Sequence, residues 1–116
     1  MIKVEAIVRP ERISVVTNAL SQVGVGGFYY QNLTGQGRQG GTEVFTGRGA
    51  IMAKAAVSKT IIVTVVPDGM KEKVVDAIID AAKGPDGGQI GDGKIMITEV
   101  ADVIRVRTGD RGESAL

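Results

Sequence analysis

Thr60-Ile-Ile-Val-Thr-Val-Val66 runs straight into Pro67-Asp68, and residues 60–68 decide the fold. The run reads as a strand. Proline in a first turn, with an acid at the positive end of the helix dipole, opens a helix. Val74, Val75, Ile78, Ile79 and Ala82 follow at helical spacing. Gly84-Pro-Asp-Gly-Gly88 stops that helix, and Lys94 to Val100 reads as the next strand. The same order stands upstream. Ile2 to Val8 alternates as a strand, and Arg9-Pro10-Glu11 opens a helix carrying Ile13, Val16, Leu20 and Val23. Gly24-Val-Gly-Gly27 ends it, and Phe28 to Thr34 is a second strand. Strand, proline and acid, helix, glycine, strand, written twice, predicts an α+β fold, the ferredoxin-like βαββαβ sandwich. Ile104 to Arg107 predicts a short extra strand, and residues 109–116 are expected to be mobile.

A chain of 116 residues, 43% hydrophobic, makes one domain over 1–116. No apolar run approaches the roughly 20 residues of a membrane helix, so no membrane insertion is expected. Met-Ile-Lys-Val-Glu-Ala has a charge every second residue and is not a secretory signal, which predicts a cytoplasmic protein. With no cysteine and no histidine, disulfides, thiolate nucleophiles, the usual zinc sites and a histidine base are excluded. A metal would need oxygen ligands, which points to magnesium carried with a phosphate. The net charge of +1 provides no field for nucleic acid.

Residues 91–108 carry the chemistry. Gly91-Asp-Gly-Lys94 is a glycine turn opening a strand, and Arg105 and Arg107 alternate with Ile104 and Val106. On a strand the two arginines share a face. Backbone N–H groups and Lys94 facing two guanidinium groups describe a polyphosphate site; a surface hairpin with solvated arginines is the alternative. The second feature is the long segment between the two halves, residues 35–58. Connections this long are functional or disordered, and it is expected to be a flexible interaction loop ordered by ligand.

Two motifs fail on context. Gly88 to Lys94 fits G-x-x-x-x-G-K, but Ile95 follows and opens a strand, so it is no P-loop. Gly35-Gln-Gly37-Arg-Gln-Gly40 fits G-x-G-x-x-G without the following helix of a dinucleotide fold. What survives is a turn that lets backbone approach a ligand, with Arg38 and Gln39 as donors.

Gly35-x-Gly37-Arg38-Gln39, Ile90-Gly-Asp-Gly-Lys94-Ile and Val103-Ile-Arg-Val-Arg107-Thr-Gly109 together resemble the PII signal-transduction family, as do Lys3-Val-Glu-Ala-Ile-Val-Arg-Pro10 and Val65-Val-Pro-Asp68. The resemblance covers essentially the whole chain apart from the loop tip. It implies a compact homotrimer that binds ATP or ADP in a cleft between subunits, with magnesium and 2-oxoglutarate at the base of the loop. Position by position, it implies nucleotide contacts at Gly37, Arg38, Gln39, Val65, Gly91, Asp92, Gly93, Lys94, Arg105 and Arg107, the arginines reaching across the interface. It implies magnesium at Gln39, through the ATP phosphates, and 2-oxoglutarate at Gln39, Gly40, Gly41 and Lys59. Thr42, Glu43, Phe45, Arg48, Ile51 and Met52 would face a protein partner, with Arg48 as a candidate anchor.

The sequence departs from the family pattern in three places. The loop has no tyrosine, so nucleotidylation there is chemically impossible. Tyr29 stands near the position facing the adenine pocket, and the turn before Ile90 carries extra residues. The leading functional reading is a non-enzymatic sensor acting on an ammonium channel, another transporter or a metabolic enzyme. Alternatives are an adenine-nucleotide sensor uncoupled from 2-oxoglutarate, serving a non-nitrogen transporter, and a weak ATPase using Asp92 or Glu43. A single-strand RNA binder is disfavoured by 3% aromatic residues and balanced charge.

Overall fold

The computed structural model describes residues 1–35 and 57–116, with the backbone alone of Thr42–Phe45 and Met52–Ala55. In chain order these residues form β1 (Ile2–Val8), α1 (Ile13–Gln22), β2 (Tyr29–Gly35), β3 (Thr42–Phe45), β4 (Met52–Ala55), β5 (Val57–Val66), α2 (Lys71–Ala82) and β6 (Gly93–Glu99). The main sheet runs β2-β5-β1-β6, every neighbouring pair antiparallel. Each helix therefore joins two strands that have a third between them, which is the ferredoxin-like topology expected from the repeat.

Alternation explains the layers. Along β1 the odd side chains are half-buried and the even ones buried, so Ile2, Val4, Ala6 and Val8 face the helices. Val16 and Leu20 of α1 and Val74, Ile78, Ala81 and Ala82 of α2 meet them, with Ile62 and Val66 from β5. Burying a side chain such as Leu20 or Ile78 fully contributes about 1.5–3 kcal/mol. Two threonines enter this layer with their hydroxyls satisfied: Thr60 donates to Asn32 Oδ1 at 2.9 Å and Thr64 to the Gly27 carbonyl at 2.6 Å. Among the described residues, no helix packs on the opposite face, with Lys3, Glu5, Ile7, Val63 and Val65. Val63 is nevertheless only 5% exposed and stands apart from the helix-side cluster.

Both proline–acid signals hold, with a refinement. Pro10–Arg12 and Asp68–Met70 each form a 3-10 turn that hands over to the α-helix. β5 starts at Val57, three residues ahead of the expected Thr60, because Ser58 and Lys59 pair with Thr34 and Leu33 of β2. Backbone pairing carries that extension, and polar side chains hide it from hydropathy. The long connection is not structureless: Thr42–Phe45 and Met52–Ala55 pair as an antiparallel ribbon.

The expected extra strand at Ile104–Arg107 does not form. A single bridge joins Ile104 to Arg111, and the Gly109 N–H donates back to the Arg105 carbonyl at 2.7 Å, closing a turn. The alternation that would hide Ile104 and Val106 therefore lapses, and Val106 is 98% exposed. Residues 109–116 fold back as a turn and a short 3-10 segment, Gly112–Ala115, against Arg105.

Candidate functional site

The glycine turn at 84–94 is built around one carboxylate. Asp92 Oδ2 accepts the backbone N–H groups of Gly84, at 2.9 Å, and Gln89, at 2.7 Å. These two bonds, helped by Arg9, hold the Asp92 carboxyl below the usual carboxylate range, against the opposing effect of desolvation. Asp86, Gly87, Gly88, Gly91 and Gly93 all have positive φ, which lets the chain curl tightly around that oxygen. At Gly93 the reason is absolute: a Cβ there would lie 1.7 Å from the Ile7 carbonyl oxygen of β1, at φ +122. Gly93 is glycine because the sheet edge requires it.

Cations surround the turn from other elements. Arg9, at the end of β1, donates from its guanidinium to the Ile90 carbonyl at 2.8 Å and stands 3.5 Å from Asp92 Oδ1. Arg12 donates to the Lys83 carbonyl at 3.0 Å. Lys59, on β5, donates to the Gly91 carbonyl at 2.5 Å. Burial, then the nearby charge of Arg9, lowers the Lys59 pKa, while Glu11 and Asp92 push it the other way. Lys94 follows the turn, exposed, opposite Ile7 of β1. A cleft of about 630 Å³ opens here between α2 and β6, apolar along Val75, Ile79 and Ile97 and polar at Gln89, Asp92 and Lys94.

The Asp92 carboxylate is turned into the turn and organises it. Among the described residues, Asp92 Oδ1 is the buried side-chain oxygen left without a hydrogen bond, 3.5 Å from Arg9 Nε. Arg9 and Arg12 are the residues that sequence reasoning missed. The available signal was a cation immediately before the helix-opening Pro10, and a second two residues after it.

The remaining expected residues gather elsewhere. Val65 pairs with Lys3, near the start of β1, whereas Lys94 pairs with Ile7 near its end. Four residues of strand place these points about 14 Å apart. Val65 lines a second cleft of about 540 Å³ with Lys3, Phe28 and Tyr29, and Glu113 and Leu116 close one side of it. Arg105 and Arg107 belong to this end too: the chain leaves β6 where the Val100 N–H donates to the Met1 carbonyl at 3.1 Å. Within one chain, then, about 20 Å of strand separates Lys94 from Val100, where the segment carrying the two arginines departs. Lys94 and the arginines do not face each other as the sequence alone suggested.

Arg105 is engaged. Its Nη1 donates to Asp110 Oδ2 at 3.3 Å, and its Nη2 donates to the Ser114 carbonyl, at 3.0 Å, and to the Leu116 main-chain oxygen, at 3.4 Å. Arg107 is exposed in the turn. Asp102 ties the root of this segment: it accepts from Arg111 NH1 at 2.8 Å and from the N–H groups of Val103 and Gly112. The Arg111 guanidinium, first, keeps the Asp102 carboxyl low.

Gly37, Arg38, Gln39, Gly40, Gly41, Arg48 and Ile51 lie outside the described residues, as do the side chains of Thr42, Glu43, Phe45 and Met52. Among the described residues, no three acidic side chains cluster to hold a metal ion, and no helix is long and apolar enough to cross a membrane.

Comparison with known proteins agrees with the pattern of motifs. The family model described as Nitrogen regulatory protein P-II matches residues 1–110. The chain is 41% identical over 117 residues to Nitrogen regulatory protein P-II 1 of Escherichia coli K12, covering all of both chains. It is 40% identical over 117 residues to Nitrogen regulatory protein P-II of Azospirillum brasilense, again end to end. A Nitrogen regulatory protein P-II homolog of Arabidopsis thaliana is 44% identical over 113 residues, 97% of this chain. The chain spans only 56% of that plant relative and 52% of a similar one from Oryza sativa. With the fold, the glycine turn and the family match in agreement along nearly its full length, the chain belongs to the P-II family of nitrogen regulatory proteins.

Proposed function

We propose that this chain is a non-enzymatic signalling protein that binds ATP and ADP between subunits of a homotrimer. Magnesium and 2-oxoglutarate bind with ATP, and the segment 35–58 reads out the ligand state to a transporter, such as an ammonium channel, or to a metabolic enzyme. One observation carries the reading. The donors suited to phosphate are split between opposite ends of the sheet, with Lys94, Lys59 and Arg9 at one end and Arg105 and Arg107 at the other. A second copy is needed to bring the two groups onto one polyphosphate.

The turn supports binding over hydrolysis. The carboxylate at its centre, Asp92, is held by backbone donors and an arginine, which leaves it a poor general base. The loop between Gly35 and Ser58 has no tyrosine, so covalent nucleotidylation there plays no part. A ligand moves such a sensor by its differential affinity for two states, typically a coupling of about 1–3 kcal/mol.

Titration calorimetry with ATP and magnesium, repeated with 2-oxoglutarate, tests this. ATP binding, with 2-oxoglutarate binding in its presence alone, is the expected result. ATP binding without that coupling would make the chain a sensor of adenine nucleotide only. Absence of ATP and ADP binding would refute the proposal.

A further inference from the structure

We propose that residues 110–116 form an autoinhibitory tail, which competes with nucleotide for Arg105 and for the second cleft. The inference rests on the nucleotide reading above and adds a regulatory part to it.

The guanidinium of Arg105 offers a planar fork suited to carboxylate or phosphate. In this structure both arms are taken from within the chain. Nη1 has the Asp110 carboxylate, and Nη2 has the Ser114 carbonyl and the Leu116 main-chain oxygen. These are three oxygen acceptors of the kind a phosphate would bring. The same donors cannot serve both at once, so a phosphate reaches Arg105 only as the tail leaves. Arg107, two residues on, is exposed and needs no such exchange.

A second observation points the same way. The cleft that holds Val65, with Phe28 and Tyr29, is closed on one side by Glu113 and Leu116. Tail and ligand therefore meet in one space as well as at one guanidinium.

The part of the tail beyond Gly112 is also built to release on its own, and the Asp110 side chain then needs only to turn away from Arg105. The root of the tail is fixed by Asp102, which holds Arg111 and the Gly112 N–H. Beyond Gly112, Glu113, Ser114 and Leu116 are exposed. Their hydrogen bonds are local, from Leu116 N–H to the Glu113 carbonyl and from Ser114 Oγ to the Arg111 carbonyl, apart from those to Arg105. Gly112 sits at φ +71 with no atom within 4 Å of a would-be Cβ, a natural pivot. The tip can swing out without disturbing the Asp102 anchor or the core. The family match ends at residue 110, so the acceptors from 114 and 116 lie beyond it.

The test is ATP titration of the full chain and of two variants, Asp110→Asn and Gly112→Val. The first removes the ion pair at nearly constant size. A Cβ at position 112 meets no atom within 4 Å, and valine strongly disfavours the left-handed backbone that docks the tip. Both are expected to bind ATP about threefold tighter or more, because a site that must first open loses apparent affinity by its open fraction. Hydrogen exchange of the wild-type chain gives an independent readout, and amide exchange in 112–116 is expected to rise on saturation with ATP. Equal or weaker binding by both variants, with exchange unchanged or slowed, overturns the tail and leaves the nucleotide site standing. Failure of all three proteins to bind ATP or ADP overturns both.

Discussion

Arg9 Nε lies 3.5 Å from Asp92 Oδ1, while the same guanidinium donates to the Ile90 carbonyl at 2.8 Å. Residues 81 and more positions apart in sequence are thereby fixed together, and the end of β1 sets where the glycine turn stands. Arg9→Ala should loosen the turn without touching the core. The expected outcome is weaker ATP binding, by roughly tenfold for a lost charge-assisted contact, with the melting temperature moved by only a few degrees. Arg9→Lys keeps the charge but loses the fork and should recover only part of the affinity.

The Asp92 carboxyl is held low in the folded chain, chiefly by the Gln89 and Gly84 N–H groups. A depressed folded pKa gives stability that is fully present above the unfolded value, about 3.9. That stability is lost as pH falls through the lower folded value. Thermal unfolding from pH 6 downward should show the wild type losing stability below about pH 4. Asp92→Asn should start lower and lose less across the same range, Asp102 accounting for part of what remains.

At Gly93 a methyl group would fall 1.7 Å from the Ile7 carbonyl oxygen. Gly93→Ala must push β6 off β1 or twist the strand, at a cost of at least about 2 kcal/mol. Urea unfolding should show the loss directly, in the absence of any ligand.

Lys94 is exposed, so cutting it back is expected to leave the fold unchanged. Lys94→Ala should retain the wild-type unfolding midpoint while ATP affinity falls at least tenfold, one charge-assisted bond contributing roughly 1.5–3 kcal/mol. Calorimetry beside a urea curve separates the two effects.

Because Lys94 and Arg105 stand at opposite ends of β6, mixing variants gives a direct test of the shared site. Homo-oligomers of Lys94→Ala and of Arg105→Ala should each bind ATP poorly. Unfolded together and refolded, they should regain a fraction of strong sites, where an intact Lys94 meets an intact Arg105. If both residues served one subunit's own site, mixing would restore nothing.

The fold was legible because β1, β5 and β6 alternate or run apolar and because Pro10, Pro67 and the glycine clusters punctuate them. The layers follow from that alternation. Less legible was anything set by backbone pairing or by distant polar contacts. Ser58 and Lys59 carry no strand signal, yet they pair with β2. Arg105 and Arg107 have strand spacing, yet the Gly109 N–H closes a turn on Arg105 instead. At the site, Lys94 could be picked out from its glycine neighbours, whereas the inward aim of Asp92 depends on Gly84 and Gln89 reaching it through a folded turn. Arg9 left no periodic trace at all, since its partners lie across the sheet.

The close approach at Gly93 has a consequence for anyone randomising this turn. A library selected for solubility alone will return glycine at 93, because the Ile7 carbonyl filters every other choice before a ligand is offered. Enrichment at that codon therefore reports on the sheet, and the codon beside it, for Lys94, is where selection by an anion becomes readable.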